Sequence, residues 1–272
     1  MKKIIAITLF LHLLSFFSSY AIENQFAGAR AIALSNAYIS FYDTWGTFHN
    51  QAGLTATTSI SAGMHFESRY LVDELSLVAG NVVLPTSSGV FALSFSQFGT
   101  GSFKENKLGL AYAKQFSGKF SAGIQFDYLL SLMPENERAK GFATLEGGII
   151  YQPVSGLFLG AHIFNPIEGG IETLSGTNKA PTTFRLGGNY SFPEFVLICF
   201  EVEKSSGYYP IFKAGIEFLP IENLAIRFGV SGKPFAYTAG IGYKFGKIIT
   251  DIGFHYHGNL GLTPAISMQF QL

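Results

Sequence analysis

From Lys119 to Leu130 the chain alternates: Phe120, Ala122, Ile124, Phe126, Tyr128 and Leu130 interleave with Lys119, Ser121, Gly123, Gln125, Asp127 and Leu129. A period of two is the repeat of a β-strand, whose successive side chains point to opposite faces, so this segment makes a strand with one apolar face. The pattern returns at Leu224, Ile226, Phe228 and Val230, at Ile248, Thr250, Ile252, Phe254 and Tyr256, and at Leu262, Pro264, Ile266, Met268, Phe270 and Leu272. Marking every such run predicts strands at 57–66, 74–84, 88–97, 104–116, 118–130, 141–152, 155–163, 181–191, 193–202, 209–218, 223–231, 234–245, 248–257 and 262–272. These runs are even in number, and most have the roughly 9 to 11 residues that a tilted strand needs to cross a bilayer.

What covers the apolar faces decides the fold class. Only 13% of the 272 residues are charged, against about 25% in ordinary soluble domains. The apolar faces carry Phe, Leu, Ile and Tyr, whereas the opposite faces carry Gly, Ser and Thr with scattered charges such as Glu146, Arg185, Glu201, Lys213, Glu217, Arg227 and Lys244. A soluble sandwich turns its charges outward and its large apolar residues inward. A membrane barrel does the reverse: a polar lumen, an apolar wall against lipid and no unpaired strand edge. The links agree, being brief after even-numbered runs and mostly longer after odd-numbered ones, as at 131–140 and 164–180. The expected fold is therefore all-β: a transmembrane antiparallel β-barrel of about fourteen strands over 57–272. Tyr112, Tyr128, Tyr151, Tyr190, Tyr237, Tyr243 and Tyr256 are candidates for its interfacial girdles. Eighteen basic residues balance eighteen acidic ones, which leaves no basic field to recruit nucleic acid.

The N-terminus carries an address. Lys2 and Lys3 precede an apolar run from Ile4 to Phe17, and Ser19 and Ala21 occupy the small-residue positions of a cleavage site. This is the pattern of a secretory signal peptide, 1–21, cut after Ala21 and too short to span a membrane. Residues 22–56 do not alternate; Phe26 to Tyr42 is rich in Ala and Gly and is expected to form a short helix ending near Asp43. A compact segment of small side chains joined to the first strand suits a lumen lined with Gly and Ser, and we read 22–56 as a plug. The lone Cys199 forms no intramolecular disulfide.

Within that plug, Gly28-Ala29-Arg30-Ala31, then Asn36-Ala37-Tyr38-Ile39-Ser40, Asp43, and Phe48-His49-Asn50-Gln51-Ala52-Gly53-Leu54 resemble the N-terminal hatch signature of the FadL-like outer-membrane barrels. The resemblance covers about thirty residues. It implies a fourteen-strand barrel of the Gram-negative outer membrane, in a superfamily that includes long-chain fatty acid and aromatic hydrocarbon transporters and the PorV and PorQ proteins of type IX secretion. The Phe48-His49-Asn50 approach and the short loops look more like the PorV and PorQ side. Gln51 stands where the family has Pro, and the large outer loops of fatty acid transporters are missing.

Catalytic chemistry finds little support in the residues. Asp251, His255 and His257 share one strand face, but alternating polar residues inside a barrel produce such triplets without a function. They are read as lumen lining together with Glu146, Arg185, Lys213, Glu217 and Arg227, with no metal and no cofactor. Two non-enzymatic readings remain. In the first, the barrel is an accessory of protein secretion or surface assembly that docks a secretion-system component or a secreted protein through its loops. In the second, it passes fatty acids or other small hydrophobic molecules, with Phe26, Arg30, Leu34, Phe41, Trp45, Phe48 and Asn50 as plug and ligand candidates. Phe270 and Leu272 end an alternating last strand resembling the signal read by barrel-assembly machinery, with Phe270 on the lipid face. The remaining expected partner is the outer-membrane bilayer itself.

Overall fold

A computed structural model describes residues 24–101, 103–132, 139–173, 176–193 and 195–272; the expected leader lies outside them. The wall begins with β1 (Ser61–Ser68), β2 (Ser76–Thr86), β3 (Gly89–Phe98), β4 (Lys104–Ser117), β5 (Phe120–Leu132), β6 (Lys140–Tyr151) and β7 (Leu157–Phe164). After a short hairpin, β8 (Gly170–Thr173) and β9 (Gly176–Lys179), it continues through β10 (Thr183–Phe192), β11 (Val196–Ser205), β12 (Ile211–Ile221), β13 (Leu224–Ser231), β14 (Ala236–Phe245), β15 (Ile248–His257) and β16 (Gly261–Gln271). Apart from the hairpin, these fourteen strands form one closed barrel, in which β16 returns antiparallel to β1 with Ser61 opposite Gln271 and Glu67 opposite Ala265. Closure pairs every strand on both sides, which is what a sheet needs where no water can satisfy an edge.

The alternation sorts the faces as expected. Phe66, Leu93, Phe126, Phe184, Phe200, Phe228 and Ile266 stand exposed on the outside, while Ser94, Gln125, Glu146, Arg185, Glu217 and Asp251 are buried inside. An exposed apolar band of this extent is stable only against lipid. One end of the barrel has tight turns, such as 222–223 and 246–247, and the other has the longer links; we call these the inner and outer ends. The tyrosines divide accordingly, with Tyr112, Tyr151, Tyr190 and Tyr243 toward inner strand ends and Tyr128, Tyr237 and Tyr256 toward outer ones.

Two expectations need correction. The link at 164–180 is not plain loop. It folds into the β8–β9 hairpin, whose Ile171 is buried with Leu129, Phe142, Phe164 and Ala180. Asn165 organises its base, donating to Ala180 O at 2.7 Å and accepting from Thr144 Oγ1 at 2.7 Å and Gly169 N at 2.8 Å. The four-residue strands are too short to register as periodic runs. The plug helix is also shorter than expected: α1 spans only Ala29–Ala33, followed by irregular chain, α2 (Gly46–His49) and a 3-10 helix at Gln51–Ala56. Ser35 and Asn36 adopt positive φ, and the wall captures the next backbone donors, since Tyr38 N and Ile39 N both bond to Glu201 Oε2. A helix would have used those groups internally.

Candidate functional site

The plug threads the whole lumen from outer to inner end. Asn24 Oδ1 accepts from Lys107 Nζ at 2.9 Å and Gln25 Oε1 from Arg69 Nη2 at 2.6 Å, both near outer strand ends. Ala29 N bonds to Ser267 at mid-barrel, Thr44 bonds to Gln269 lower down, and Leu54 is buried with Val83, Val90 and Ala113 beside the inner turns. Small residues permit this descent. Gly28 has a φ of 108°, and a Cβ there would lie 3.0 Å from the Trp45 ring.

Three charged clusters meet the plug. At the first, Arg185 grips Glu201 through Nε and Nη2 at 2.7 and 2.9 Å and donates from Nη1 to His49 O. Lys213 bridges Glu201 and Glu203, and the Phe26 ring lies under both cations, 4.4 Å from the Arg185 guanidinium carbon and 5.2 Å from Lys213 Nζ. At the second, Arg30 of the plug makes a two-pronged contact with Glu217 at 2.7 and 2.8 Å, and Arg227 joins Glu217 to Asp251. Such paired N–H···O bonds are the strong kind. The third cluster holds Lys107, Asp127, Glu146 and His162, with Lys107 2.8 Å from Glu146.

Around these, Ala27, Ala31, Leu34, Tyr38, Phe41, Trp45 and Phe48 form one apolar core with Ala79 and Cys199 of the wall. Leu34, Phe41, Trp45 and Phe48, named from the sequence as plug or ligand candidates, lie within that core. Asn50 is buried and pins the plug to the wall through Ile149 O, at 3.1 Å, and to its own Ile39 O at 2.7 Å. Gln51, where the resemblance has a proline, begins the 3-10 helix with its amide wholly buried and without a hydrogen-bond partner among the described residues. Burial, reinforced by the Arg185 charge, pushes the His49 imidazole down to about 3, so it is neutral and its Nε2 donates to Ala27 O at 2.9 Å.

All the expected lumen residues face inward, but the Asp251, His255 and His257 triplet does not converge. Asp251 is engaged by Arg227, and His257 Nδ1 accepts from Asn259 N and Leu260 N, shaping the outer turn. Among the described residues no group of three or more His, Cys, Asp and Glu side chains is placed to hold a metal. Lys107, Asp127, His162, Asn81 and Asn189 were not singled out from the sequence. Their inward parity was readable, but their partners lie on other strands or on the plug.

Among the described residues, two cavities of the lumen stand out. The inner one, about 260 Å³, is lined by Arg30, Asp43, Glu217, Arg227, Lys244 and Gln269 among others; the outer one, about 180 Å³, reaches Phe26, Glu203 and Tyr209. A larger apolar groove, about 830 Å³, lies on the lipid-facing wall across β5–β7, β10 and β11, lined by Ala122, Gly147, Ile149, Ala161, Phe184 and Leu186. Behind it, a Cβ on Gly123 or Gly148 would sit about 2.5 Å from Gln51 C or Asn50 Oδ1. Only strand backbone separates groove and plug there.

No protein-family model matches the chain, and no curated protein sequence does. Among solved structures it is similar to the CymD monoaromatic hydrocarbon channel, with TM-score 0.68 and 13% identity over 90% of this chain and 97% of the other. It is similar to the P. putida toluene transporter TodX, with TM-score 0.69 and 12% identity over 90% and 98%. A Pseudomonas aeruginosa FadL homologue gives TM-score 0.64 and 11% identity over 90% and 98%. At these identities the likeness is one of fold: a closed fourteen-strand barrel of the FadL-like architecture, with its N-terminal segment inside.

Proposed function

We propose that this chain is a non-catalytic barrel of a Gram-negative outer membrane that takes up small hydrophobic molecules. One observation carries the reading: the apolar groove of about 830 Å³ in the lipid-facing wall, backed by glycines that touch the plug at Asn50 and Gln51. An apolar molecule dissolved in the bilayer reaches this groove without crossing water, and there it meets wall in which glycine backbone alone stands before the plug. Neighbours of the same architecture named as a hydrocarbon channel and a toluene transporter support the choice. In the same reading, 1–21 is a cleaved signal peptide, 22–56 is the plug, 57–272 is the barrel, and Phe270 with Leu272 is the signal for barrel-assembly machinery.

The test is uptake of labelled toluene by cells whose only hydrocarbon-uptake barrel is this chain. Ala122→Phe with Ala161→Phe fills the groove from the lipid side and is expected to bring uptake to the empty-vector level while heat-modifiable migration stays normal. Undiminished uptake in that variant overturns the reading. A second reading, a PorV- or PorQ-like accessory of secretion, is favoured by the tie of plug to wall through Arg30 and Glu217, which suits a sealed barrel acting from its surface. Stoichiometric co-purification of a secretion component, without hydrocarbon uptake, would decide for it.

A further inference from the structure

We propose that the outer rim between β10 and β14 is a seat for one anionic lipid of the outer leaflet, a phosphorylated and multiply acylated glycolipid whose phosphate binds Lys204 and Lys233. This rests on the outer-membrane part of the reading above but not on transport.

A second apolar groove, about 510 Å³, runs along the outside of β12–β14, lined by Tyr209, Pro210, Phe212, Ala214, Val230 and Phe235, with Lys233 at its outer end. Its aromatic walls are exposed, Tyr209 at 84%, Phe235 at 67% and Phe212 at 66%. The first groove also ends at the outer rim in a lysine, Lys204. The register ties the two cations to one ridge. Val202, two residues before Lys204, pairs with Phe212, and Gly232, next to Lys233, donates its N–H to Phe212 O at 2.9 Å. The lysines therefore flank Phe212 from β11 and from the β13–β14 turn, about two inter-strand spacings or roughly 10 Å apart.

The charge of this sector points to an anion. Among the described residues of β10–β14 and their outer turns, Lys204 and Lys233 are the charged side chains that point outward. Glu203, the acid nearest the rim, turns inward and is held by Lys213 at 2.6 Å. Lys204 Nζ already donates to Ser205 O and Tyr208 O, which fixes its position and leaves its third donor free. Lys233 makes no ion pair among the described residues. An apolar groove ending in a cation at the headgroup level matches an amphiphile with an anionic head, its chains covering Phe212 and Phe235 and its phosphate bridging the lysines.

Native mass spectrometry of the detergent-solubilised full chain, titrated with purified lipid A, tests this. A one-to-one adduct is expected. Lys204→Gln with Lys233→Gln should weaken it about tenfold or more, the loss of one to two charge-assisted contacts, with heat-modifiable migration unchanged. Phe212→Ala with Phe235→Ala should weaken it as well. Equal retention of lipid A by the double lysine variant, equal binding of lipid A stripped of its phosphates, or displacement by inorganic phosphate alone would each overturn the proposal.

Discussion

At the scale of single residues the plug is held by unequal partners. Glu217 serves two guanidinium groups, Arg30 from the plug and Arg227 from the wall. Removing Arg30 leaves Glu217 still paired with Arg227, whereas removing Glu217 takes the two-pronged partner from Arg30 and leaves the buried Arg227 with Asp251 alone. Glu217→Ala is therefore expected to destabilise the folded barrel by roughly 3–5 kcal/mol and Arg30→Ala by clearly less, compared by the temperature at which heat-modifiable migration is lost. His49 gives a pH dependence of definite sign. Its pKa of about 3 in the docked plug lies below the ordinary 6.5 of a released plug, so the released state binds the extra proton between these values. The stability it contributes is full above about pH 6.5 and is lost as pH falls toward about 3. Protease sensitivity of the plug should rise through that window, and His49→Gln, which keeps a donor for Ala27 O, should flatten the rise. A flat wild-type profile would remove His49 from the account.

At the scale of elements, the β8–β9 hairpin and the plug are built alike: short pieces with no stable core of their own, ordered by buried polar side chains. Asn165 closes the hairpin's base, and Asn165→Ala leaves those buried groups unpaired at a cost of about 1–3 kcal/mol. Cleavage within 170–179 by added protease should speed up about tenfold in that variant, as expected for local opening set by such a loss. The strands show the contrast. Each was legible because alternation is local, and the observed ends differ from the expected ones by a few residues at most. The largest shift is at β1, which starts at Ser61 rather than 57 because the 3-10 helix ends only at Ala56 and an extended stretch follows.

At the scale of the whole molecule, position along the barrel sets what a charge costs. Ile266 sits mid-strand, opposite Ile252 and Phe66, whereas Phe270 lies by the inner turns, opposite Ile248 and Ala62. Ile266→Arg is expected to cost about 2–4 kcal/mol and Phe270→Asp no more than about 1 kcal/mol in the assembled barrel. If Phe270 is nevertheless an assembly signal, Phe270→Asp should fail to assemble in cells yet fold in detergent, whereas Ile266→Arg should be weak in both. Equal behaviour of the two variants would mean that Phe270 acts only through its lipid contact.

Alternation by itself determined the strands of the barrel, their number and which face of each is apolar, because a period of two is fixed by neighbouring residues and needs no distant partner. The small residues between Ala27 and Ala37 likewise pointed to a compact segment, since they lie close together in the chain. Only the tertiary structure decided how the plug folds and what holds it. Arg30 and Glu217 lie 187 residues apart, and Asn50 and Ile149 lie 99 apart. Closure of the barrel brings those side chains together, and the wall then takes hydrogen bonds that a longer plug helix would have kept. The grooves on the lipid face belong to the same class, because each is lined by residues from several separate strands.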